Sequence, residues 1–318
     1  MTRLTIAAAA YPLDFHDSFD SYAAKITTWV SDAAVKAAQL LVFPEYGAME
    51  LGSLGGRAVA GDLEACLHEV ARWKPQVDAL HCALAARFGV HILGASGPVF
   101  LSENGNDIYT FTGQTDPKRN ALYTSGPRPV NRATLYGPGG ILGHQDKQIM
   151  TRFERETWFV APGHGLRVFD TPLGRLGVVT CYDSEFPLLS RALVEAGAEI
   201  LLAPSCTDSL RGFTRVRVGS MARALENQCV VVHAPTVGLC EFCPAVDENV
   251  GAAAIYGPPD LGFPETGILA ETPLNQPGWA IATVDRAAIA EVRRAGGVLN
   301  HLHWDEQQAR IAAGVVVI

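Results

Sequence analysis

Short apolar runs alternate with longer amphipathic stretches along this chain. The apolar runs have the length of β-strands and lie at residues 4–11, 38–45, 90–96, 176–183, 198–205 and 230–236. Apolar residues recur at the spacing of one helical face in three of the intervals, residues 21–38, 63–88 and 215–227. Pro75 is a candidate break in the second of these helices. Nearly continuous apolar strands that alternate with helices indicate an α/β fold whose sheet is covered by helices on at least one face.

The two halves of the chain repeat this pattern. AQLLVFPE at 38–45 and AEILLAPS at 198–205 match at a separation of 160 positions, and LTIAAAAY at 4–11 resembles LGVVTCYD at 176–183. Each half therefore predicts strand, helix, strand, helix, strand. Between the halves, NRATLYGPGGILGHQDKQ alternates around a Gly-Pro-Gly-Gly turn, which predicts a β-hairpin. No linker separates the halves, so we expect one domain over residues 1–318, with two layers of sheet enclosed by helices.

Composition and charge exclude several classes of partner. The chain has 318 residues, of which 48% are hydrophobic, enough to fill a sizeable core. Its net charge of −8 is spread without a basic run, so it has no electrostatic footprint for nucleic acid. No apolar stretch approaches the roughly 20 residues of a membrane-spanning helix, and no export signal is visible. We expect a globular, cytoplasmic protein with neither nucleic acid nor membrane as a partner.

Seven cysteines are scattered through the chain, which predicts reduced thiols and not a disulfide framework. Cys240-x-x-Cys243 with His233 has a metal-ligand spacing, but the second ligand pair is missing, so no metal site is expected. A papain-like pair of Cys181 and His233 is also disfavoured, because His233 lies inside an apolar strand and no papain-type signature surrounds Cys181. The cysteines expected to be small buried hydrophobic residues are Cys66, Cys82, Cys206 and Cys229.

Three chemically active residues stand near predicted strand ends. Glu45 ends the second strand of the first half, Cys181 ends the first strand of the second half, and Lys147 follows the hairpin between them. We expect the three to meet at one edge of the sheets. A thiol needs a base to become nucleophilic, and a partly buried carboxylate can serve as that base near neutral pH. An ammonium can stabilise the oxyanion that forms on a carbonyl, at about 3 kcal/mol per donor.

The motifs around these residues resemble those of a known family. FPEYG at 43–47, HQDKQ at 144–148 and VVTCYDSEFP at 178–187 are similar, in this order, to motifs of the nitrilase superfamily of carbon–nitrogen hydrolases. The similarity continues through GAEILLAPS at 197–205 and MARALENQCVVV at 221–232. It implies a four-layer α-β-β-α sandwich with two pseudo-repeated halves, in agreement with the pattern above. It further implies a homodimer or higher homo-oligomer that acts on a small-molecule amide without a metal or an organic cofactor.

The resemblance also assigns roles to site residues. Glu45 is expected to be the general base and acid, Lys147 the oxyanion stabiliser and Cys181 the nucleophile. The backbone N–H of Tyr182 is expected to contact the oxyanion, and Tyr46 is a candidate substrate-binding residue.

The family carries a second glutamate several residues after its lysine. In TRFERETWFVAPG at 151–163 we favour Glu154, because Thr-x-x-Glu-Arg with Trp158 four residues later is similar to family members. Glu156 is the alternative, since its distance to Gly163 suits other relatives. Either glutamate would belong to the catalytic group.

The residues after the nucleophile resemble the amidase and carbamoyl-hydrolase branches, because they are Tyr182-Asp183 where nitrile-cleaving members tend to carry Trp-Glu. We expect a thiol-dependent amidohydrolase that cleaves a non-peptide C–N bond through a thioester and releases ammonia or an amine. A nitrilase and a catalytically inactive binding protein of the same fold are the alternatives.

Glu185 stands where relatives often carry arginine. Facing the pocket it would oppose a carboxylate-bearing substrate, and facing away it would be a local ion-pair or capping group.

Overall fold

The computed structural model describes residues 3–102, 107–108 and 127–318. Its strands, in chain order, are β1 (Arg3–Pro12), β2 (Leu40–Val42), β3 (His91–Leu93), β4 (Gly97–Leu101), β5 (Asp107–Ile108), β6 (Pro129–Gly137), β7 (Gly140–Asp146), β8 (Val168–Thr171), β9 (Gly174–Val178), β10 (Ile200–Ser205), β11 (Val230–Leu239), β12 (Glu248–Asn249), β13 (Ala254–Tyr256), β14 (Ile268–Glu271) and β15 (Gly278–Asp285).

The helices of the same part of the chain are α1 (Phe19–Ala34), α2 (Arg57–Ala60), α3 (Leu63–Arg72), α4 (Lys74–Phe88), α5 (Arg152–Glu156), α6 (Pro187–Glu195), α7 (Leu210–Asn227), α8 (Arg286–Ala295), α9 (Asn300–His303) and α10 (Glu306–Ala312). Two 3-10 helices matter for the site, Gly47–Gly55 and Cys181–Glu185. Over the described residues, no helix combines the length and the apolar character needed to cross a membrane.

Two half-sheets are built from the predicted strands. In the first, β1, β2 and β3 are parallel neighbours, and in the second β9, β10 and β11 are parallel neighbours. The halves join where the end of β1 pairs with β11, at Tyr11 with Thr236 and at Pro12 with Val237. Antiparallel strands extend both halves, and the hairpin predicted around the Gly-Pro-Gly-Gly turn is the pair β6 and β7. The repeated strand pattern in the sequence therefore corresponds to a repeat in the sheet.

Three hydrophobic cores separate four layers. Alternate residues of β1 belong to different cores, because successive side chains of a strand point to opposite faces. Ile6 packs between the two half-sheets in the core that also contains Val178, whereas Ala7 packs with Val30 of α1 on the outer face. A third core lies between the second half-sheet and the helices α6 and α7. The order of layers is helix, sheet, sheet, helix, which confirms the predicted α-β-β-α sandwich.

The helix boundaries follow local signals. The segment 63–88 forms two helices, α3 and α4, and Pro75 lies in the first turn of α4, where its missing N–H removes no helical hydrogen bond. Helix α7 begins before the predicted segment because the side chain of Ser209 caps it by accepting the N–H of Gly212. The longer helix extends along the cavity described next.

Candidate active site

Strand ends bring Glu45, Lys147 and Cys181 to one cavity. Glu45 lies three residues beyond β2, Cys181 lies three residues beyond β9, and Lys147 directly follows β7. Glu45 and Lys147 are each 1% exposed and Cys181 is 5% exposed. All three line a cavity of about 450 Å³. The structure thus brings together the three residues that the sequence placed at strand ends.

Lys147 lies between two carboxylates. Its Nζ donates to Oε1 of Glu45 and to Oε2 of Glu154, at 2.7 Å in both cases. Burial opposes the charge, but the two carboxylates outweigh it and raise the pKa of Lys147 well above its usual value. Glu156, the alternative second glutamate, is instead exposed and accepts from Arg152 at 2.8 Å. The structure therefore places Glu154, and not Glu156, beside the lysine.

Glu154 is held by donors of its own local helix and of the first half. It is the third residue of α5, and its Oε2 accepts from the N–H and the hydroxyl of Thr151 at 2.8 and 2.9 Å. Tyr46 donates its hydroxyl to Oε1 at 2.7 Å. Burial raises the pKa of Glu154, but Lys147 and these donors lower it more, so the pKa lies below its usual value. Glu154 remains a carboxylate beside Lys147.

The pKa of Glu45 is set by a different balance of burial and neighbouring charges. Its Oε1 accepts from the Asn131 amide and its Oε2 from the N–H of Cys206, both at 3.0 Å. Burial is the largest influence and raises the pKa of Glu45, Lys147 opposes it, and the negative charge of Glu154 adds to it, so that the pKa is about 7. Two carboxylates share one ammonium, and Glu45 is the one whose proton affinity suits acid–base chemistry near neutrality.

Cys181 begins the 3-10 helix Cys181–Glu185 with a φ of 48°, which is a left-handed conformation that is uncommon outside glycine. Its Sγ lies 3.8 Å from the carbonyl oxygen of Cys206. Burial first, and then the charge of Glu45, raise the pKa of the Cys181 thiol well above its usual value. The resting group is a protonated thiol, so a nucleophilic attack by sulfur requires a base that accepts its proton.

Asp183 connects the segment after Lys147 to the turn that carries Cys181. Its carboxylate accepts the N–H of Ile149 at 2.7 Å, of Gln148 at 3.1 Å and of Thr180 at 3.3 Å. Burial raises its pKa to about 6, against the lowering influence of Lys147 and of the three N–H donors. In the sequence, Asp183 indicated only a branch of the family, and no local pattern predicts this connection.

The rim of the cavity combines aromatic and charged residues. Tyr46 packs edge-on against Trp158 at 4.7 Å between ring centroids, and both line the cavity. Tyr182 lines it as well. Glu185 lines the cavity and also pairs with Arg215 of α7 at 3.2 Å, so it faces the pocket and is an ion-pair partner there.

Other residues considered in the sequence lie apart from this chemistry. His233 is fully buried, its Nε2 lies 2.8 Å from the Ser205 hydroxyl, and burial lowers its pKa to about 3. The sulfur atoms of Cys66 and Cys243 lie 3.8 Å apart. Within residues 3–102 and 127–318, no group of three or more His, Cys, Asp or Glu could hold a metal ion. Cys82 and Cys206 depart from the buried-hydrophobe expectation, because both are partly exposed, and Cys206 also lines the cavity.

Comparison with known protein families and curated proteins gives concordant matches. A family model described as "Carbon-nitrogen hydrolase" matches residues 5–294. The chain is 31% identical over 282 residues to the "Probable hydrolase YhcX" of Bacillus subtilis (strain 168). This match covers 88% of this chain and 50% of that protein. It is 45% identical over 155 residues to the "Deaminated glutathione amidase" of Yersinia enterocolitica, and this match covers 49% of this chain and 50% of that protein. The chain spans about half the length of these curated relatives.

Solved structures share the fold at lower identity. A carbon–nitrogen hydrolase from Helicobacter pylori G27 superposes with a TM-score of 0.69 at 18% identity, covering 92% of each chain. An amidase from Nesterenkonia sp. AN1, in a mutant form with acrylamide added at its active site cysteine, superposes with a TM-score of 0.62 at 20% identity, covering 96% of this chain and 100% of that one.

Proposed function

The chain belongs to the carbon–nitrogen hydrolase family, and we propose from this premise that it is a thiol-dependent amidohydrolase of small non-peptide amides. The observation that carries the proposal is the pairing of a protonated, buried Cys181 with Glu45, whose pKa is about 7, in one cavity beside the Lys147 ammonium. A thiol that needs a base and a carboxylate able to take and return a proton are the two parts that thioester chemistry requires.

The first half-reaction forms the thioester. Glu45 accepts the thiol proton while Sγ of Cys181 attacks the amide carbon, and the electron pair of the C=O bond moves to the oxygen. The oxyanion lies against the Lys147 ammonium and the backbone N–H of Tyr182. Collapse of this intermediate breaks the C–N bond, and Glu45 gives its proton to the departing nitrogen, which leaves as ammonia or an amine.

The second half-reaction uses the same groups. Glu45 accepts a proton from a water molecule, the water oxygen attacks the thioester carbon, and the C–S bond breaks as the carboxylic acid forms. The proton on Glu45 returns to the sulfur. A pKa near neutrality suits this role, because Glu45 must accept and give a proton in each half-reaction.

Glu154 acts as a positioning residue in this scheme. With Thr151 and Tyr46 as its own donors, it remains ionised and fixes the Lys147 ammonium between two carboxylates. The lysine is then oriented before the substrate arrives, so its charge acts on the oxyanion without reorganisation. A lysine held by a single partner would lose part of this orientation.

The remaining expectations from the sequence stay proposals. The "Deaminated glutathione amidase" of Yersinia enterocolitica is 45% identical over the matched residues, against 26% for the relatives named nitrilase from Arabidopsis thaliana, which favours an amide over a nitrile as substrate. The single catalytic domain over residues 1–318, the homodimer and the cytoplasmic location rest on the resemblance and on composition. A sedimentation measurement that gives a mass above 34.0 kDa would support the dimer, and a strictly monomeric profile would contradict it.

The proposed function is tested by ammonia release from a panel of aliphatic amides, ω-amides, carbamoyl amino acids and nitriles, and by release of the amine from deaminated glutathione, whose amide nitrogens are substituted. We expect the wild-type chain to hydrolyse at least one amide class faster than any nitrile, and Cys181→Ala to abolish this activity. Cys82→Ala is the matched control, since Cys82 is a partly buried thiol outside the cavity residues. Activity that survives in Cys181→Ala, or an inactive wild-type chain, would contradict the proposal.

A further inference from the structure

We propose that the cavity selects amides whose acyl chain carries a positive charge, and that Glu185 sets this preference by neutralising Arg215. This inference rests on the proposed amidohydrolase function and names the class of its substrate. It is carried by the signs and pairing of the charged residues that line one cavity, whose floor holds Glu45, Lys147 and Cys181.

Acidic residues outnumber basic residues along the cavity. Lys147 is already compensated, since it lies between Glu45 and Glu154. Apart from Lys147, Arg215 is the one Lys or Arg among the described residues that line the cavity. Acidic residues outside the Lys147 cluster are more numerous along the same surface, and they are Glu185, Asp208, Asp247 and Glu248.

The pair of Glu185 and Arg215 removes the cation that a carboxylate substrate would need. Glu185 closes the 3-10 helix that Cys181 begins, and its Oε1 lies 3.2 Å from Nε of Arg215 on α7. The Glu185 side chain is 21% exposed and that of Arg215 is 62% exposed, so the arginine remains reachable from the cavity mouth. A substrate carboxylate at that mouth would have to compete with Glu185 for Arg215.

The acids outside this pair have no ion pair within the described part of the chain. Asp208 accepts a hydrogen bond from the hydroxyl of Ser209, and Asp247 accepts one from the N–H of Glu248, but neither donor brings a positive charge. A cationic substrate therefore meets a mouth of negative sign, and an anionic one meets repulsion, which is how like charges exclude a wrong ligand.

Aromatic residues provide a second, independent feature that suits a cation. Phe153 is 51% exposed and packs edge-on against Trp158 at 5.6 Å, and Tyr182 lines the same cavity. Faces of such rings attract an ammonium group, with about 0.5–1 kcal/mol per contact at exposed sites. The volume of about 450 Å³ is large enough for an acyl chain of several carbons that ends in an ammonium.

The test compares three amides of matched length: 5-aminopentanamide, pentanamide and the monoamide of glutaric acid. We expect kcat/KM to fall in that order, by about tenfold at each change of charge, the ratio that an interaction of about 1.4 kcal/mol produces. Glu185→Gln should lower the preference for the cationic over the anionic amide about tenfold, because Arg215 becomes free, and Arg215→Gln should raise it by a similar factor.

Glu156→Gln is the matched control, because Glu156 is also paired with an exposed arginine but does not line the cavity. This variant should leave the preference unchanged. Equal or better hydrolysis of the anionic amide by the wild-type chain, or an unchanged preference in Glu185→Gln, would overturn the inference and leave the amidohydrolase function standing.

A second readout does not depend on hydrolysis. Iodoacetate and iodoacetamide each form a C–S bond with the cysteine and release iodide and a proton. Iodoacetate adds a negatively charged carboxymethyl group, and iodoacetamide adds a neutral carbamoylmethyl group. Relative to N-acetylcysteine, we expect the ratio of iodoacetate to iodoacetamide rates at Cys181 to be about tenfold lower. Glu185→Gln should raise this ratio and Glu156→Gln should not. If no amide is hydrolysed, the proposed function fails, and the alkylation ratios still decide whether the cavity excludes anions.

Discussion

The carboxylate of Glu45 and the ammonium of Lys147 lie 2.7 Å apart, and each side chain is 1% exposed. They come from different parts of the chain, one from the loop after β2 and the other from the end of the β6–β7 hairpin. The ammonium is also shared with Glu154, whose local donors leave it ionised. Burial is the largest influence on Glu45 and, with the negative charge of Glu154, outweighs Lys147 to give a pKa of about 7, on which the catalytic proposal depends.

Replacing Lys147 by methionine should affect both catalysis and stability. We expect kcat to fall at least about 100-fold, because the charge next to the oxyanion is lost. Two buried carboxylates would also lose their cation, which should lower the free energy of unfolding by about 3–5 kcal/mol. Steady-state kinetics and chemical denaturation measure the two effects. Lys36→Met, at an exposed lysine outside the cavity, should change neither, and an active, stable Lys147→Met variant would contradict the assigned role.

The activity should depend on the protonation of Glu45. The base must be ionised to accept the thiol proton, and burial raises its pKa to about 7, so kcat/KM should rise with pH through about 7 and fall on the acid side. A pH profile of wild-type hydrolysis measures this. Glu45→Gln should remove most of the activity at every pH. A wild-type profile that is flat from about pH 5 to 8 would show that a group with another pKa limits the reaction.

Asp183→Asn should disturb the position of Lys147 relative to Cys181. The substitution keeps the size of the side chain but removes a charged acceptor from the N–H groups of Gln148, Ile149 and Thr180. We expect kcat to fall about 10- to 100-fold with a smaller change in KM, since small displacements of catalytic groups have effects of this size. A loss of stability with kinetic constants unchanged in the folded fraction would indicate a structural role alone.

Gly219→Ala should test the close packing of α7 on the nucleophile turn. A Cβ at Gly219 would lie 2.9 Å from the carbonyl oxygen of Ser184, so backbone must move to accommodate it. Although alanine favours a helix by about 1 kcal/mol over glycine, we expect a net loss of about 1–2 kcal/mol in stability and lower kcat. Gly139→Ala is the matched control, because its Cβ would meet open space. Equal melting temperatures for the two variants would contradict the argument.

The sequence predicted the layers and the meeting of three residues for a definite physical reason. Parallel strands end at a common edge, so residues that follow β2 and β9 were expected to be neighbours. The Thr-x-x-Glu pattern, which favoured Glu154 through its resemblance to family members, is also local, and in the structure Thr151 and Glu154 form a capping box. Such features depend on residues close in sequence or on a simple repeat.

Other parts of the site depend on contacts that no local pattern encodes. Asn131 and the N–H of Cys206 both donate to Glu45, although they lie in different half-sheets. Residues 244–247 line the cavity from the connection between β11 and β12, which carries no periodic signal, and Glu248 lines it from the start of β12. The pairing of Glu185 with Arg215 depends on how α7 crosses the 3-10 helix, so the sequence left two descriptions of Glu185 open. These contacts are set by tertiary packing.

The most direct test of the account is the mass of the enzyme during turnover. Rapid acid quenching of the wild-type chain with a hydrolysed amide, followed by mass spectrometry of peptides, should find the acyl group on the sulfur of Cys181 as a hydroxylamine-sensitive thioester. Cys181→Ala should carry no acyl group and release no ammonia. An acyl group on a different residue, or full turnover in Cys181→Ala, would contradict the claim that Cys181 is the nucleophile that Glu45 and Lys147 serve.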